Sequence, residues 1–581
     1  MKKLKTRWTD RVLEHPEAVL SEYPRPSMKR ESYVNLNGYW DYGITGRGKK
    51  PGPYTGKILV PFSPEAPLSG VEKHLHPRQV LWYRRYLPGL VRAKNGSRWL
   101  LHFGAVDQFA AVYMNGKLVK KHLGGYLPFS ADVTEFLKEG ENELLVGVRD
   151  FTDRSYFSRG KQKLQRGGMF YTAQSGIWQT VWMEEVPLTY VERVKITPLY
   201  DEKAVEVTVF SKERKQACVT VKEGGKRSAS ADCRTNEACR IRLDSIRPWT
   251  PESPFLYDLE VQLEEDLVHC YFAMRKISAE KDGRGIWRPF LNNRPYLQRG
   301  VLDQGYWPDG LYTAPCDEAL VFDIREMKRL GFNMIRKHIK IEPERWYYHC
   351  DRLGMLVWQD MVCGGRPYKS WYVTYFANIL EGLHIRMTDR TYGLLGRREE
   401  KGREQFLSEM KETIQLLWNH PSIVTWVIFN EGWGQFDARE VTAEAEKEDP
   451  ARLIDQASGW FDQGGGHFRS IHNYFFKLHL RKEERIQALT EFGGFCWHCR
   501  EHSMYAKVYG YRLFTNKEEL SRGYGRLMRD IASRIPEGLS VTIYTQLSDV
   551  EEEVNGIYTY DREILKIRED VLIQCNEMLK L

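Results

Sequence analysis

The sequence has no run of about 18 consecutive apolar residues, so no membrane-spanning helix is expected. Its first residues, MKKLKTRWTDRVLEHPE, carry bases but no apolar segment behind them, so they do not read as a secretory signal. Charge of one sign is not concentrated either. Lys and Arg number 86 against 78 Asp and Glu, a net +8 spread thinly over 581 residues. Nucleic-acid binders gather such charge on one face, so neither nucleic acid nor membrane is an expected partner. Ten cysteines lie scattered without a dense framework, which fits reduced thiols in a cytoplasmic protein. Cys496-Trp-His-Cys499 is a lone CxxC. A zinc site would want a second pair, so the expected metal and cofactor content is none. Low-complexity tracts and short-period repeats are absent, and 42% hydrophobic with 28% charged residues excludes wholesale disorder.

What is abundant is aromatic: 13% of the chain, with 17 Trp and 32 Tyr. Such rings either stack on ligands or fill large β cores. From about residue 30 to 185 short alternating runs are broken by turn residues, as in LWYRRYL (81–87), AAVYMNGKLV (110–119) and ENELLVGVRD (141–150). Asn115-Gly116 is a hairpin signal, since both residues tolerate positive φ. Residues 1–185 therefore read as a β-sandwich domain. Residues 186–280 continue the alternation in a smaller unit (AVEVTVF, ACVTVKE, YDLEVQL), the size of an immunoglobulin-like sandwich. From 281 to 581 apolar strands alternate with helical stretches. YLQRGV, NMIRKHI, MLVWQDM, IVTWVIFNE, RLIDQAS, SIHNYF, IQALTEF and VTIYTQL give close to eight βα units, the size of a (β/α)8 barrel.

Active-site residues of such a barrel sit at the C-terminal ends of its strands. The fourth strand ends Phe429-Asn430-Glu431 and the seventh Thr490-Glu491, so two carboxylates emerge at one rim from apolar strands. An acid there is expensive to bury without partners or a task. Two acids hydrogen-bonded to barrel neighbours satisfy the pattern, and so does glycosidic bond cleavage, in which one acid protonates the leaving oxygen and the other attacks the anomeric carbon. Spacing along the chain does not choose between retention and inversion.

The motifs are more specific. LHFGAVDQFAAVYMNGKLVKKHLGGYLPFSADVT, SGIWQTVWMEE, RPWTPESPFLYDLEVQL, FAMRKI, RGV, NMIRKH, WNHPSIVTWVIFNEGW and TEFGG occur in the order found in glycoside hydrolase family 2, which the chain resembles over nearly its whole length. The resemblance implies an N-terminal jelly-roll sugar-binding domain, an immunoglobulin-like domain and a catalytic TIM barrel. It implies that Glu431 is the general acid/base and Glu491 the nucleophile of a retaining exo-acting enzyme. It further implies that Asn430 contacts the sugar 2-hydroxyl, that Tyr474 stands beside the nucleophile, and that the chain self-associates.

For the sugar, period-two alternation in MIRKHIK turns Arg336, His338 and, further on, Lys340 towards the barrel mouth. A basic cluster there suits a sugar carboxylate, because Arg can grip one bidentately, although a solvated basic rim fits equally. The family often has Arg-x-x-His where this chain has Arg-x-His. Its β-glucuronidases carry a late Asn-x-Lys, whereas VNGIYTYDR (554–562) has no such Lys. WQDMVCGGRP lacks the Glu and His that hold magnesium in the large β-galactosidases; WQD resembles the β-mannosidase branch, but NMIRKH does not continue that pattern. By elimination a β-hexuronide, a β-galacturonide first, is the expected substrate, with a β-galactoside next and a β-glucuronide or β-mannoside behind. Asp303, Asp360, Trp307, Trp433 and Trp497 complete the candidate sugar-binding residues; any of these Trp can equally be packing. The alternative of another class is a catalytically silent carbohydrate-binding protein, which would have no need of both Glu431 and Glu491.

Overall fold

The computed structural model describes residues 2–49, 52, 54–87, 96–382, 385–481 and 483–581. The first sandwich packs a six-stranded antiparallel sheet against a four-stranded one. The larger runs in space Gly56–Val60, Gly38–Gly46, Gln79–Leu87, Asn142–Arg149, Phe109–Met114, Lys117–Leu123, and the smaller Val34–Asn35, Val181–Pro187, Ser97–Phe103, Phe129–Asp132. Alternate residues of these strands (Tyr83, Leu101, Phe103, Val112, Val146) form its core, as a two-layer sandwich requires. Asn115, at φ +51, turns the hairpin between Phe109–Met114 and Lys117–Leu123. The second sandwich sets a three-stranded sheet on a four-stranded one, with a valine-rich core from Val205, Val207, Val219 and Val261. A ribbon over Ile277–Pro295 leads into the barrel.

The barrel strands are β1 (Gln298–Asp303), β2 (Met334–Lys337), β3 (Leu356–Asp360), β4 (Ile423–Asn430), β5 (Leu453–Ser458), β6 (Phe468–Asn473), β7 (Ile486–Gly493) and β8 (Leu539–Thr545). Their order is β5-β4-β3-β2-β1-β8-β7-β6, all parallel, with a seam between β5 and β6 where no ladder forms among the described residues. Helices cover one face of each strand and barrel side chains the other, so β3, β4, β5, β7 and β8 are buried along their entire length. That is why β4, β7 and β8 read as largely apolar runs rather than alternating ones, while β3 and β5 bury polar residues such as Asp360, Asp455 and Gln456. The helix Asp317–Arg329 buries Leu320, Ile324 and Met327, carries acids in its first turn and stops before Gly331 at φ +92.

Three expectations are corrected here. The N-terminal segment does not belong to the first sandwich alone: Leu4 and Trp8 enter the barrel core, Trp8 packs edge-on against Trp307 at 5.9 Å, and Thr6 and Thr9 both donate to Asp309 Oδ2 at 2.6 Å. The same packing removes Trp307 from the sugar-platform candidates, for Arg562 covers its ring at 4.0 Å. Cys233 and Cys239, on either side of a tight turn in the second sandwich, pair as a disulfide, so the thiols are not all free; Cys496 and Cys499 stay unpaired and buried. No helix among the described residues is long and apolar enough to cross a membrane.

The first sandwich reaches the barrel mouth through a strap, residues 158–172. Ser158 bridges to Gly364 beyond β3, the Arg159 and Gly160 amides both donate to the Cys363 carbonyl at 3.0 Å, and the Tyr171 hydroxyl donates to Glu553 beyond β8.

Candidate active site

The two carboxylates meet. Glu431, the residue after β4, and Glu491, inside β7, face one cavity together with His472 from the end of β6, and ligand atoms of all three lie within 4.8 Å of one another. Glu431 and Glu491 are buried, at 8% and 5% exposure. Glu431 adopts φ +51, a left-handed conformation costly for a side chain bearing Cβ. Its amide is tied to the Ser458 carbonyl at 2.9 Å, and Gly432 and Gly434 complete the turn at φ +71 and +66. A Cβ on Gly432 would lie 2.6 Å from the Phe461 ring, so this tight turn aims Glu431 only if that position is glycine.

Hydrogen bonds separate the two acids chemically. His472 joins Glu431 Oε1 through Nδ1 at 2.8 Å and Ser458 Oγ through Nε2 at 2.9 Å. Both ring nitrogens are therefore engaged, which fixes the orientation of the imidazole. Glu491 accepts from the Tyr474 hydroxyl and, at 3.4 Å, from Arg336 Nη1. Burial, the largest influence on Glu431, raises its pKa; the His472 hydrogen bond pulls it partly back and the Glu491 charge pushes it up again. Burial would raise Glu491 too, but His472, His338, Arg336 and the Tyr474 hydrogen bond outweigh it and hold this carboxyl low. Of these, Arg336 is the charge that persists at every pH, whereas His338 is itself pushed down to about 4 by burial and the Lys161 charge. The result is one carboxyl tuned to keep its proton beside one tuned to lose it.

Arg336 is fully buried and uses its whole guanidinium on the protein. Nε and Nη2 grip Asp360 at 2.9 Å each, Nη2 also reaches Asn430 Oδ1 at 2.9 Å, and Nη1 reaches Ser458 Oγ at 2.8 Å besides Glu491. His338 Nδ1 shares Asp360 at 2.9 Å. This corrects the expectation for strand two. Arg336 and Asp360 orient Glu491 and Asn430 and have nothing left for a sugar carboxylate. Lys337 and Lys340 turn away: Lys337 pairs with Asp303 and Glu342 and lies 4.3 Å over Trp346, while Lys340 donates to the Gly305 and Tyr312 carbonyls and Glu342. Asp303 is held by Lys337 and the Gly305 amide, and is therefore a structural acid of the rim. Trp497 sits on a short ribbon with Arg512–Phe514, partly buried against the barrel core.

Other candidates are at the centre. Asn430 is 1% exposed; its Oδ1 is fixed by Arg336 while its Nδ2 has no hydrogen-bond partner among the described residues. Tyr474 stacks on Tyr511 at 3.7 Å, which fixes the hydroxyl at Glu491. Trp433 forms an aromatic wall with Phe170 at 5.6 Å, Tyr368 at 6.4 Å and His338 at 6.4 Å. Sequence reasoning missed His472, Ser458, Tyr511 and Lys161. His472 lies in the same SIHNYF segment as Tyr474, but β6 ends at Asn473 and its register slips before His472, so alternation does not single it out.

Three family models match, all of one family: "Glycosyl hydrolases family 2, sugar binding domain" over residues 77–187, "Glycosyl hydrolases family 2" over 189–275, and "Glycosyl hydrolases family 2, TIM barrel domain" over 290–491. A putative β-glucuronidase of Formosa agariphila is 26% identical over 60% of this chain and 39% of its own length, and a β-galactosidase of Thermoanaerobacter pseudethanolicus 27% identical over 49% and 39%. The chain thus spans about two fifths of these curated relatives. Among solved structures, a β-D-glucuronidase of Dictyoglomus thermophilum superimposes with TM-score 0.74 at 18% identity, covering 96% of this chain and 99% of that one. A β-galacturonidase of Eisenbergiella tayi bound to galacturonate gives 0.71 at 20%, covering 96% and 100%. With the three matched domains in order and the paired carboxylates on β4 and β7, the chain belongs to glycoside hydrolase family 2.

Proposed function

We propose that the protein is a retaining exo-β-glycosidase. In this reading Glu431, protonated, gives its proton to the leaving oxygen while Glu491, ionised, attacks the anomeric carbon. Water then enters with Glu431 as base. The observation that carries the reading is the pair itself: oxygens of the two carboxylates lie within 4.8 Å. Carboxyl separations of about 5–5.5 Å go with retention and roughly 6.5–9.5 Å, which admits a water between acid and base, with inversion; the close approach of the nearest oxygens supports the retaining reading. The opposite displacement of their pKa values supports the same division of roles. Asn430 Nδ2, lacking a partner within the protein, suits the sugar 2-hydroxyl, a contact that strengthens in the transition state.

The preference for a β-hexuronide over a β-galactoside loses its support from strand two, because Arg336, Lys337 and Lys340 all have partners within the protein. An acidic sugar would need cations from elsewhere in the site. The test of the reaction class is a panel of p-nitrophenyl β-glycosides (glucuronide, galacturonide, galactoside, mannoside, glucoside), with the first-formed anomer followed by proton NMR. Release of the β-anomer is expected. Release of the α-anomer would reject the retaining mechanism, and binding without release from any sugar would favour the silent carbohydrate-binding alternative. Self-association belongs to the same proposal and is checked by sedimentation velocity.

A further inference from the structure

Three cations on the strap lack an ion-pair partner. Arg159, Lys161 and Lys163 alternate along it, and none of them enters an ion pair among the described residues. Arg159 is 1% exposed, and its Nε, Nη1 and Nη2 have no hydrogen-bond partner; its guanidinium lies 5.0 Å from the Tyr368 ring. Lys161 is 6% exposed, with Nζ 5.7 Å from the Trp433 ring centre and 5.5 Å from that of Tyr171, and no hydrogen bond. Lys163 Nζ stands 3.8 Å over Phe170, which itself packs on Trp433. Ring faces attract a cation weakly compared with what burial removes, so two enclosed charges in such company are costly unless an anion joins them.

The strap holds Lys161 beside the reaction centre. Gly160 takes φ +60 and is wedged so tightly that a Cβ would meet the Tyr312 hydroxyl at 2.8 Å and the Ile339 carbonyl at 3.0 Å. The Lys161 charge is felt by His338 and by Glu431, both of which it lowers. The carboxylates of the site already have partners: Glu431 has His472, Glu491 has Tyr474, and Glu553 has Tyr171 and Asn555. Asp153 is felt by Lys163, and Lys161 acts on Glu431 without pairing with it; no acid among the described residues forms an ion pair with Arg159 or Lys161.

We propose that Lys161, backed by the Arg159 charge, receives an anionic substituent of the bound sugar, so that the first sandwich rather than barrel strand two selects an acidic glycone. The inference rests on the glycosidase reading for the place of the sugar, but not on turnover. The shared chemistry is an anion on the pyranose, either the carboxylate of a hexuronide or a sulfate ester of a hexose. In either case one charge-assisted contact with Lys161 accounts for about 10- to 100-fold in affinity.

The test has a binding arm and a kinetic arm, both on the full chain. In the binding arm, thermal unfolding is followed with free galacturonate, glucuronate, galactose 6-sulfate and galactose. An acidic sugar is expected to raise the Tm of the wild type more than galactose does, with the carboxylates and the sulfate telling the two sources apart. The difference should vanish in Lys161→Ala and return in part in Lys161→Arg. In the kinetic arm, the ratio of kcat/KM for the preferred acidic aryl glycoside to its neutral counterpart should fall at least about 10-fold in Lys161→Ala. Should Lys161→Ala not fold, Lys161→Gln carries the same comparison. Galactose stabilising as well as the acidic sugars, or a ratio unchanged by the substitution, overturns the inference. Acidic-sugar binding that depends on Lys161, without cleavage of any glycoside, keeps the inference and rejects the glycosidase reading instead.

Discussion

Two side chains of the same type do different work because their neighbours differ, and substitution should separate them. Glu491→Gln removes the attacking oxygen and should abolish measurable turnover, at least about 1,000-fold in kcat, while the unfolding temperature stays near that of the wild type. Glu431→Gln should cost aryl glycosides with poor leaving groups about 100- to 10,000-fold and good leaving groups far less, since the latter need little protonation. Equal losses for both classes would contradict the assignment. The pH profile follows from the same environments. Activity should rise as Glu491 ionises, at low pH because its pKa is held down, and fall as Glu431 loses its proton, at higher pH because its pKa is raised. His472 lowers both carboxyls, so His472→Ala should move both limbs of the kcat/KM profile upward in pH; a profile that does not move would show that His472 only packs. At this scale the two acids were legible because each ends or interrupts a stretch that is otherwise uncharged and fully buried, where an ionisable group is conspicuous. His472 was not, because β6 is only half-buried and its register slips between Ile471 and His472, which blurs the alternation. Lys161 was invisible because Trp433, His338 and Glu431, which place it at the site, come from another domain more than 160 residues away in the chain.

Elements fail or succeed as predictors according to where they stop. Alternation placed Arg336 inside the barrel and held for β2, but β2 ends at Lys337 and Ile339 turns at φ +42, so the alternation does not continue to Lys340. The charge expected at the mouth instead braces the rim from beneath, through Asp303, Glu342 and two backbone carbonyls. The strap supplies the opposite lesson: its short strand signals say little, yet Gly160 fixes its course. Gly160→Ala must both adopt a left-handed φ and displace Tyr312 or the Ile339 carbonyl, so it should lower stability by about 1–3 kcal/mol. It should also raise KM more than it lowers kcat, because Lys161 would be moved while the carboxyl pair stays. An unchanged Tm and KM would show that the strap adapts freely.

Across the molecule, the two sandwiches are joined by a buried charge cluster. Arg30 grips Asp266 of the second sandwich with Nε and Nη2 at 2.9 and 2.8 Å, and reaches Glu184 of the first with Nη1 at 3.1 Å. Arg30→Ala would leave buried Asp266 with the Val191 amide in place of its cation, while Glu184 keeps Arg25, and should cost about 3–5 kcal/mol, read as a fall in the denaturant midpoint. Burial alone would raise Glu184, but Arg25, His102 and Arg30 hold its folded pKa below the unfolded value of about 4.3. Its contribution is therefore complete above that pH and declines as pH falls through it towards the folded value, so the wild type should lose more stability than Glu184→Gln between pH 5 and pH 3. The domain order was legible from alternation and motif sequence, whereas the joints were not: they rest on single residues such as Trp8, Arg30 and Tyr171, whose partners lie hundreds of positions away. The division of labour between the paired acids is tested most directly by mass spectrometry after incubation with an activated 2-deoxy-2-fluoro-β-glycoside of the best glycone. The account predicts one added fluoroglycosyl group on the peptide containing Glu491; a label on another residue, or full turnover with no labelled intermediate and an inverted product, would contradict it.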